Sequence, residues 1–331
     1  MKAAFYETPG APEVIHYGDL PTPTPKADEV LVKVAAAAVN PIDTYIRAGL
    51  VNMNQPKPSI PGCDLAGVVE KVGANVKRFK AGDRVWGSNQ GLLGRQGTFA
   101  EFACVAEKWL YPTPPGVADA DVAGAALTAI TAHLGLFQCA NLKAGETVFV
   151  NGGTGGVGSM VVQMAKAAGA RAIATAGSAE KIEQCRQLGA DRAINYKSED
   201  VAAAVKDFTK GKGVDVWYET QPPADFDKTF DLLAFRGRLI VMAGRAARPA
   251  FPNGAFYTKN LSMFGFAMFN ASADEQRKSA DDINRWLAEK KLRVLIGKTF
   301  SLSEAAAAHK LQEENTQKKA GTLTGKILVK P

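Results

Sequence analysis

From Thr147 onward, short apolar runs alternate with amphipathic stretches; before it they do not. The runs Thr147–Val150, Arg171–Thr175, Arg192–Asn195, Val214–Glu219, Arg238–Ala243 and Leu261–Phe266 read as strands, and several are almost continuously apolar. That is the pattern of parallel strands covered on both faces. An alanine-rich helix over Val122–Cys139 precedes them, and an amphipathic helix over Ser159–Ala168 follows the first. A helix over Ala273–Lys290, burying Ile283, Trp286 and Leu287, comes after the last. Strand and helix in alternation predict an α/β fold with a doubly wound parallel sheet. The first third lacks helical periodicity. Its clearest runs, Glu29–Val34, Leu65–Val72, Asp83–Trp86 and Phe99–Val105, are punctuated by glycine and proline and suit a small β-barrel. Pro112-Thr113-Pro114-Pro115-Gly116 closes that region, and the strand-like tail Gly325–Val329 is expected to return to it.

A chain of 331 residues suits two domains. The boundaries expected are 1–122 with 268–331 for the barrel domain and 123–267 for the doubly wound domain. No uninterrupted run of about 18 apolar residues is present to span a membrane, and Met1–Glu7 has no signal-peptide core, so the expected location is cytoplasmic. Four cysteines, Cys63, Cys104, Cys139 and Cys185, form no C-x-x-C pair, which argues against a disulfide framework or a zinc knuckle. The net charge of +7 is spread along the chain, and Lys318-Lys319 lacks the interleaved aromatics of a nucleic-acid binder.

The densest chemistry lies where the strand Thr147–Val150 runs into Asn151-Gly152-Gly153-Thr154-Gly155-Gly156-Val157-Gly158. Gly153, Gly155 and Gly158 have the G-x-G-x-x-G spacing of a dinucleotide-binding turn. Such a turn brings bare backbone to a pyrophosphate at a helix N-terminus, where unpaired N–H groups favour negative charge. NAD binders commonly carry an acidic residue about 20 positions on, at the end of the second strand, to accept the ribose 2′-hydroxyl. Here that strand end reads Ala176-Gly177-Ser178-Ala179-Glu180-Lys181. Ser178 and Lys181 suit a 2′-phosphate, which favours NADPH. Ser178 also serves as a helix cap, and Glu180 leaves an NAD role open.

Across nearly its full length the chain resembles the medium-chain dehydrogenase/reductase superfamily. Within it, Val39-Asn40-Pro41-Ile42-Asp43-Thr44-Tyr45-Ile46-Arg47-Ala48-Gly49 is similar to the signature of the zinc-independent, ζ-crystallin-like quinone oxidoreductases. Pro61-Gly62-Cys63-Asp64-Leu65-Ala66-Gly67-Val68 and Gly82-Asp83-Arg84-Val85 support the match. The resemblance implies a GroES-like barrel domain completed by the C-terminal segment, a Rossmann domain, and a homodimer, with the edge strand Leu261–Phe266 as the expected pairing surface. Zinc-dependent relatives carry Cys near Asn40, Gly-His-Glu in place of Gly62-Cys63-Asp64, and Cys within Ala125-Ala126-Leu127. Catalytic zinc takes about three such ligands, so no metal is expected.

The resemblance places Asn40, Asp43, Tyr45 and Arg47 beside the nicotinamide, with Tyr45 stacking on a flat ring or donating a hydrogen bond. Asp43 is expected to hold Arg47 or a backbone N–H. It assigns Thr128 to the nicotinamide side, and Thr154, Gly155, Gly156 and Val157 to the pyrophosphate. Gly177, Ser178, Lys181 and Tyr196 take the adenosine end. Met242, Ala243 and Gly244 lie under the nicotinamide ribose, Phe266, Ala267 and Met268 line the carboxamide, and Lys326 approaches a phosphate. The activity implied is reduction of a quinone, or another small electrophile, by NADPH. Reduction of an alkenal, enone or enoyl thioester is the neighbouring chemistry on the same fold. A non-enzymatic NADPH-binding structural or RNA-binding role is the reading from another class.

Overall fold

The strand Glu29–Val39 organises the barrel. In the computed structural model, which describes all 331 residues, it is eleven residues long. It pairs antiparallel with Asp64–Val72 over most of that length, with Phe102–Ala106 along its first half and with Lys326–Lys330 at its end. The register slips between Leu31 and Val32 and again between Val34 and Ala36. Such irregularities bend and twist a strand, which lets this one change partners along its course. Its inward residues Val30, Val32, Val34 and Val39 pack with Leu65, Val69, Val85, Phe99, Val105, Ile327 and Val329. Ile327 stands opposite Val39, so the C-terminal strand delivers Lys326 to Asn40.

The chain divides into two units. The first is Met1–Leu127 with Ser272–Ala288 and Arg293–Pro331; the second is Thr128–Ala271 with Glu289–Leu292. The first unit is not all strand. Pro41–Arg47 is a helix of seven residues, too short to show periodicity. Asn40 sits at its N-cap, Pro41 fills the first helical position where an N–H is dispensable, and Asp43 accepts the Asn40 N–H at 2.7 Å.

The second unit is a parallel sheet in the spatial order Arg192–Asn195, Arg171–Ala176, Thr147–Asn151, Val214–Glu219, Leu233–Val241, Ser262–Gly265. The order reverses between the third and fourth of these, and open α/β sheets bind ligands at the carboxyl ends of strands beside such a reversal. The helix Asp119–His133 continues as a π-helical segment, Leu134–Cys139. By length and composition it could cross a membrane, but its apolar window is 78% buried, as in a core helix.

One buried group in the first unit sets a pH dependence. His309, on the helix Ala305–Thr316, is fully buried with neither ring nitrogen hydrogen-bonded, and it meets the Phe99 ring edge-on at 5.6 Å. Burial, and then the Arg47 guanidinium, hold its pKa down to about 3. The unfolded chain therefore binds a proton near pH 6.5 that the folded chain refuses, and His309 destabilises the fold increasingly as pH falls through that window. The opposite tendency of Asp43 makes the comparison with a variant necessary. In His309→Leu, stability relative to the parent is expected to rise by about 2 kcal/mol between pH 7 and pH 5. Urea titrations at the two pH values measure this, and a pH-independent difference would contradict it.

Candidate active site

Six buried polar side chains meet where the strand ending at Val39 faces the one beginning at Asp64. Asn40 donates from Nδ2 to Asp64 Oδ2 at 2.8 Å, and its Oδ1 accepts from the Lys326 ammonium. Lys326 Nζ also donates to the Val39 carbonyl at 2.9 Å, and Ser88 Oγ donates to Asp64 Oδ1 at 2.7 Å. The Cys63 thiol donates to Asp43 Oδ1 at 2.8 Å. Burial pushes Asp43 up to about 7 against the opposing bond from Cys63, and raises Asp64 against the pull of Lys326. Burial likewise lowers Lys326, against Asp64 and Asp43, and holds the Cys63 thiol well above its ordinary range. The cluster satisfies its own hydrogen bonds, which is what makes so much buried polarity tolerable.

Of the four side chains expected at the chemistry, this arrangement joins Asn40 and Asp43. Asp43 holds a backbone N–H and a thiol; it does not hold Arg47. Arg47 needs correcting: its guanidinium is 1% exposed, and its terminal nitrogens donate to Glu313 and to the Gly10 carbonyl. It pins the C-terminal helix to the barrel. Lys326 also departs from expectation, because its ammonium is spent on Val39 and Asn40 inside the first unit and does not extend toward a phosphate. Tyr45 is half-buried on the helix Pro41–Arg47, and burial alone raises its phenol, with no charged or hydrogen-bonding side chain contributing.

In the second unit, the expected cofactor residues Thr154, Gly155, Gly156, Val157, Gly177, Ser178, Tyr196, Met242, Ala243, Gly244, Phe266, Ala267 and Met268 follow the carboxyl ends of parallel strands. They gather along one edge of the sheet. Gly155 caps the helix Gly156–Ala167, whose first N–H groups open toward any anion placed there. A Cβ on Gly158 would lie 2.0 Å from the Gly152 carbonyl oxygen, so only glycine permits this close turn. Ser178 caps the next helix, its Oγ accepting the Lys181 N–H at 3.3 Å. The exposed Tyr196 hydroxyl stands 2.5 Å from where a Cβ on Gly177 would lie. Thr128 is buried on the helix Asp119–His133. A cavity of about 350 Å³ lined by Thr147, Arg171, Lys212 and Asp215 opens at the opposite ends of the strands, away from these groups.

These residues fit a dinucleotide: a helix N-terminus, a glycine-rich turn, and a serine, a lysine and a tyrosine beyond the carboxyl ends of the next two strands. They do not fit zinc. The Cys63 thiol is spent on Asp43, Asp64 accepts from Asn40 and Ser88, the Lys326 ammonium is held on Asn40, and no three histidine, cysteine or carboxylate side chains are placed to hold a metal ion. Three polar residues that sequence reading passed over complete the cofactor edge: Asn151, Thr175 and Glu219. Their signal was a polar residue at or near the carboxyl end of an otherwise apolar strand.

A GroES-like barrel with a doubly wound, glycine-turn domain defines a medium-chain dehydrogenase/reductase. Residues 26–115 match the alcohol dehydrogenase GroES-like domain, and residues 156–285 match the zinc-binding dehydrogenase domain. The quinone oxidoreductase of Sus scrofa is 35% identical over 301 residues, covering 91% of this chain and 90% of that one. A chloroplastic NADPH-dependent alkenal/one oxidoreductase of Arabidopsis thaliana is 37% identical over 258 residues, 76% of this chain and 64% of its own. The crystal structure of Escherichia coli quinone oxidoreductase complexed with NADPH superposes with a TM-score of 0.87 at 27% identity, covering all of both chains. The chain belongs to the quinone oxidoreductase family of this superfamily.

Proposed function

We propose that this protein is an NADPH-dependent quinone reductase that uses no metal, acting in the cytoplasm as a homodimer. The observation that carries the cofactor choice is the stretch after the strand Arg171–Ala176, where no carboxylate closes the strand itself and Ser178 and Lys181 flank Glu180 at the start of the next helix. When bound, NADPH supplies a hydride. The backbone of Gly155, Gly156 and Val157 holds the pyrophosphate, and Ser178, Lys181 and Tyr196 hold the 2′-phosphate and adenosine. Thr128, Met242–Gly244 and Phe266–Met268 line the nicotinamide end. Tyr45 offers a phenol that is protonated at neutral pH, as phenols ordinarily are, and so can donate to a quinone oxygen as it gains charge. Asn40 and Asp43 act on the shape of the site by fixing the start of the helix that carries Tyr45. A quinone is already electrophilic and needs no Lewis acid for hydride transfer. Water completes the protonation.

Four free cysteines suit a reducing compartment. Ser262–Gly265 is an edge strand with Met263 41% exposed, and an edge of this kind supports pairing with a second copy. Supplied with NADPH, the enzyme is expected to reduce a para- or ortho-quinone at least tenfold faster, by kcat/KM, than an alkenal or an enoyl thioester. Turnover confined to the latter two would move the function to double-bond reduction and remove the role given to Tyr45.

A further inference from the structure

Glu219 is a buried carboxylate that no part of the proposed chemistry uses. It closes the strand Val214–Glu219, lies opposite Asn151 in the parallel pairing, and is 2% exposed. Its oxygens accept from Asn151 Nδ2 at 3.0 and 3.3 Å, from Trp217 Nε1 at 3.1 Å and from the Gln221 N–H at 2.7 Å. The bonds continue across the sheet. Asn151 Oδ1 accepts from Thr175 Oγ1 at 2.8 Å, and Thr175 Oγ1 in turn accepts the Gly152 N–H at 3.0 Å. The Thr175 carbonyl accepts the Gly153 N–H at 2.8 Å.

The two side-chain bonds of this chain take their direction from Glu219, whose carboxylate oxygens face only donors, Asn151 Nδ2, Trp217 Nε1 and the Gln221 N–H, and accept from all three. Facing Glu219, the Asn151 amide must present its NH₂, which turns its oxygen to Thr175. The threonine hydroxyl must then donate to that oxygen, leaving a lone pair for the first N–H of the glycine turn. We propose that Glu219 is the positioning residue of the pyrophosphate turn, setting through Asn151 and Thr175 the orientation in which Gly152 is held. This deepens the NADPH reading and rests on it for its functional consequence, while the hold on Gly152 stands in the unliganded protein.

The test is amide hydrogen exchange at Gly152 in the full-length unliganded protein, with NADP⁺ and adenosine 2′-monophosphate titrated calorimetrically alongside. In Glu219→Gln the amide side chain presents donors as well as acceptors, so Asn151 is free to flip; the Thr175 hydroxyl then loses the oxygen it donates to, and the lone pair it holds toward the Gly152 N–H is no longer fixed in direction. Gly152 exchange is expected to accelerate tenfold or more. NADP⁺ is expected to bind tenfold or more weakly, and adenosine 2′-monophosphate, which has no pyrophosphate, to bind within twofold of the parent. Adding Asn151→Asp to Glu219→Gln exchanges the carboxylate and the amide between the two positions. It restores a fixed acceptor for Thr175 and a donor–acceptor pair across the strands, and is expected to return both exchange and NADP⁺ affinity to within threefold. Unchanged Gly152 exchange in Glu219→Gln overturns the proposal, as does a failure of Asn151→Asp to rescue or an equal loss of both ligands. A parent protein that binds no NADP⁺ would instead overturn the cofactor reading, and Gly152 exchange would still decide the role of Glu219.

Discussion

Gly158→Ala is expected to raise the dissociation constant for NADPH by on the order of a hundredfold, the loss of two charge-assisted hydrogen bonds to phosphate at about 1.5 kcal/mol each. The added Cβ would sit 2.0 Å from the Gly152 oxygen, 2.9 Å from the Gly152 carbonyl carbon and 3.3 Å from the Gly153 Cα. All three are backbone atoms, so no side chain can swing away. The turn must open, and the N–H groups at the start of the helix Gly156–Ala167 then lose their common focus. Fluorescence titration with NADPH measures the effect. Binding within a few-fold of the parent would mean that the turn does not cradle the pyrophosphate.

Lys181→Glu is expected to lower the ratio of kcat/KM for NADPH over that for NADH between tenfold and a few hundredfold. A charge-assisted bond to a phosphate contributes about 1.5–3 kcal/mol, and each factor of ten corresponds to about 1.4 kcal/mol. Reversing the sign adds repulsion of the 2′-phosphate while leaving the 2′-hydroxyl of NADH largely indifferent. Substitution at Ser178 is less clean, because its hydroxyl caps the helix Ala179–Gln187 and its loss costs about 1 kcal/mol of stability as well. Steady-state kinetics with the two cofactors gives the ratio. A ratio unchanged by Lys181→Glu would place the phosphate reader elsewhere.

The α/β architecture was legible because apolar runs and glycine punctuation are local signals: each of the six parallel strands of the second unit overlaps an apolar run. So was the glycine turn, whose spacing reflects the close approach seen at Gly158. The helix Pro41–Arg47 was hidden from periodicity by its length, although Asn40-Pro41 followed by Asp43 carries the marks of a helix start. The fates of Arg47 and Lys326 were not legible. Arg47 meets Glu313 across 266 positions and Lys326 meets Asn40 across 286, and such pairings leave no trace in local pattern. The family resemblance alone places both at the cofactor or substrate, whereas burial gives each a partner inside its own unit. Glu219 was read only as the end of an apolar strand, and its meaning depends on Asn151 and Thr175, which come from two neighbouring strands.

The central claim, a quinone reductase that reads the 2′-phosphate, is tested most directly by the steady-state oxidation of NADPH and NADH in parallel by one para-quinone. The expected result is fast quinone reduction with NADPH and kcat/KM lower by tenfold or more with NADH. Equal rates with the two cofactors, or no quinone-dependent oxidation of either, would contradict the account.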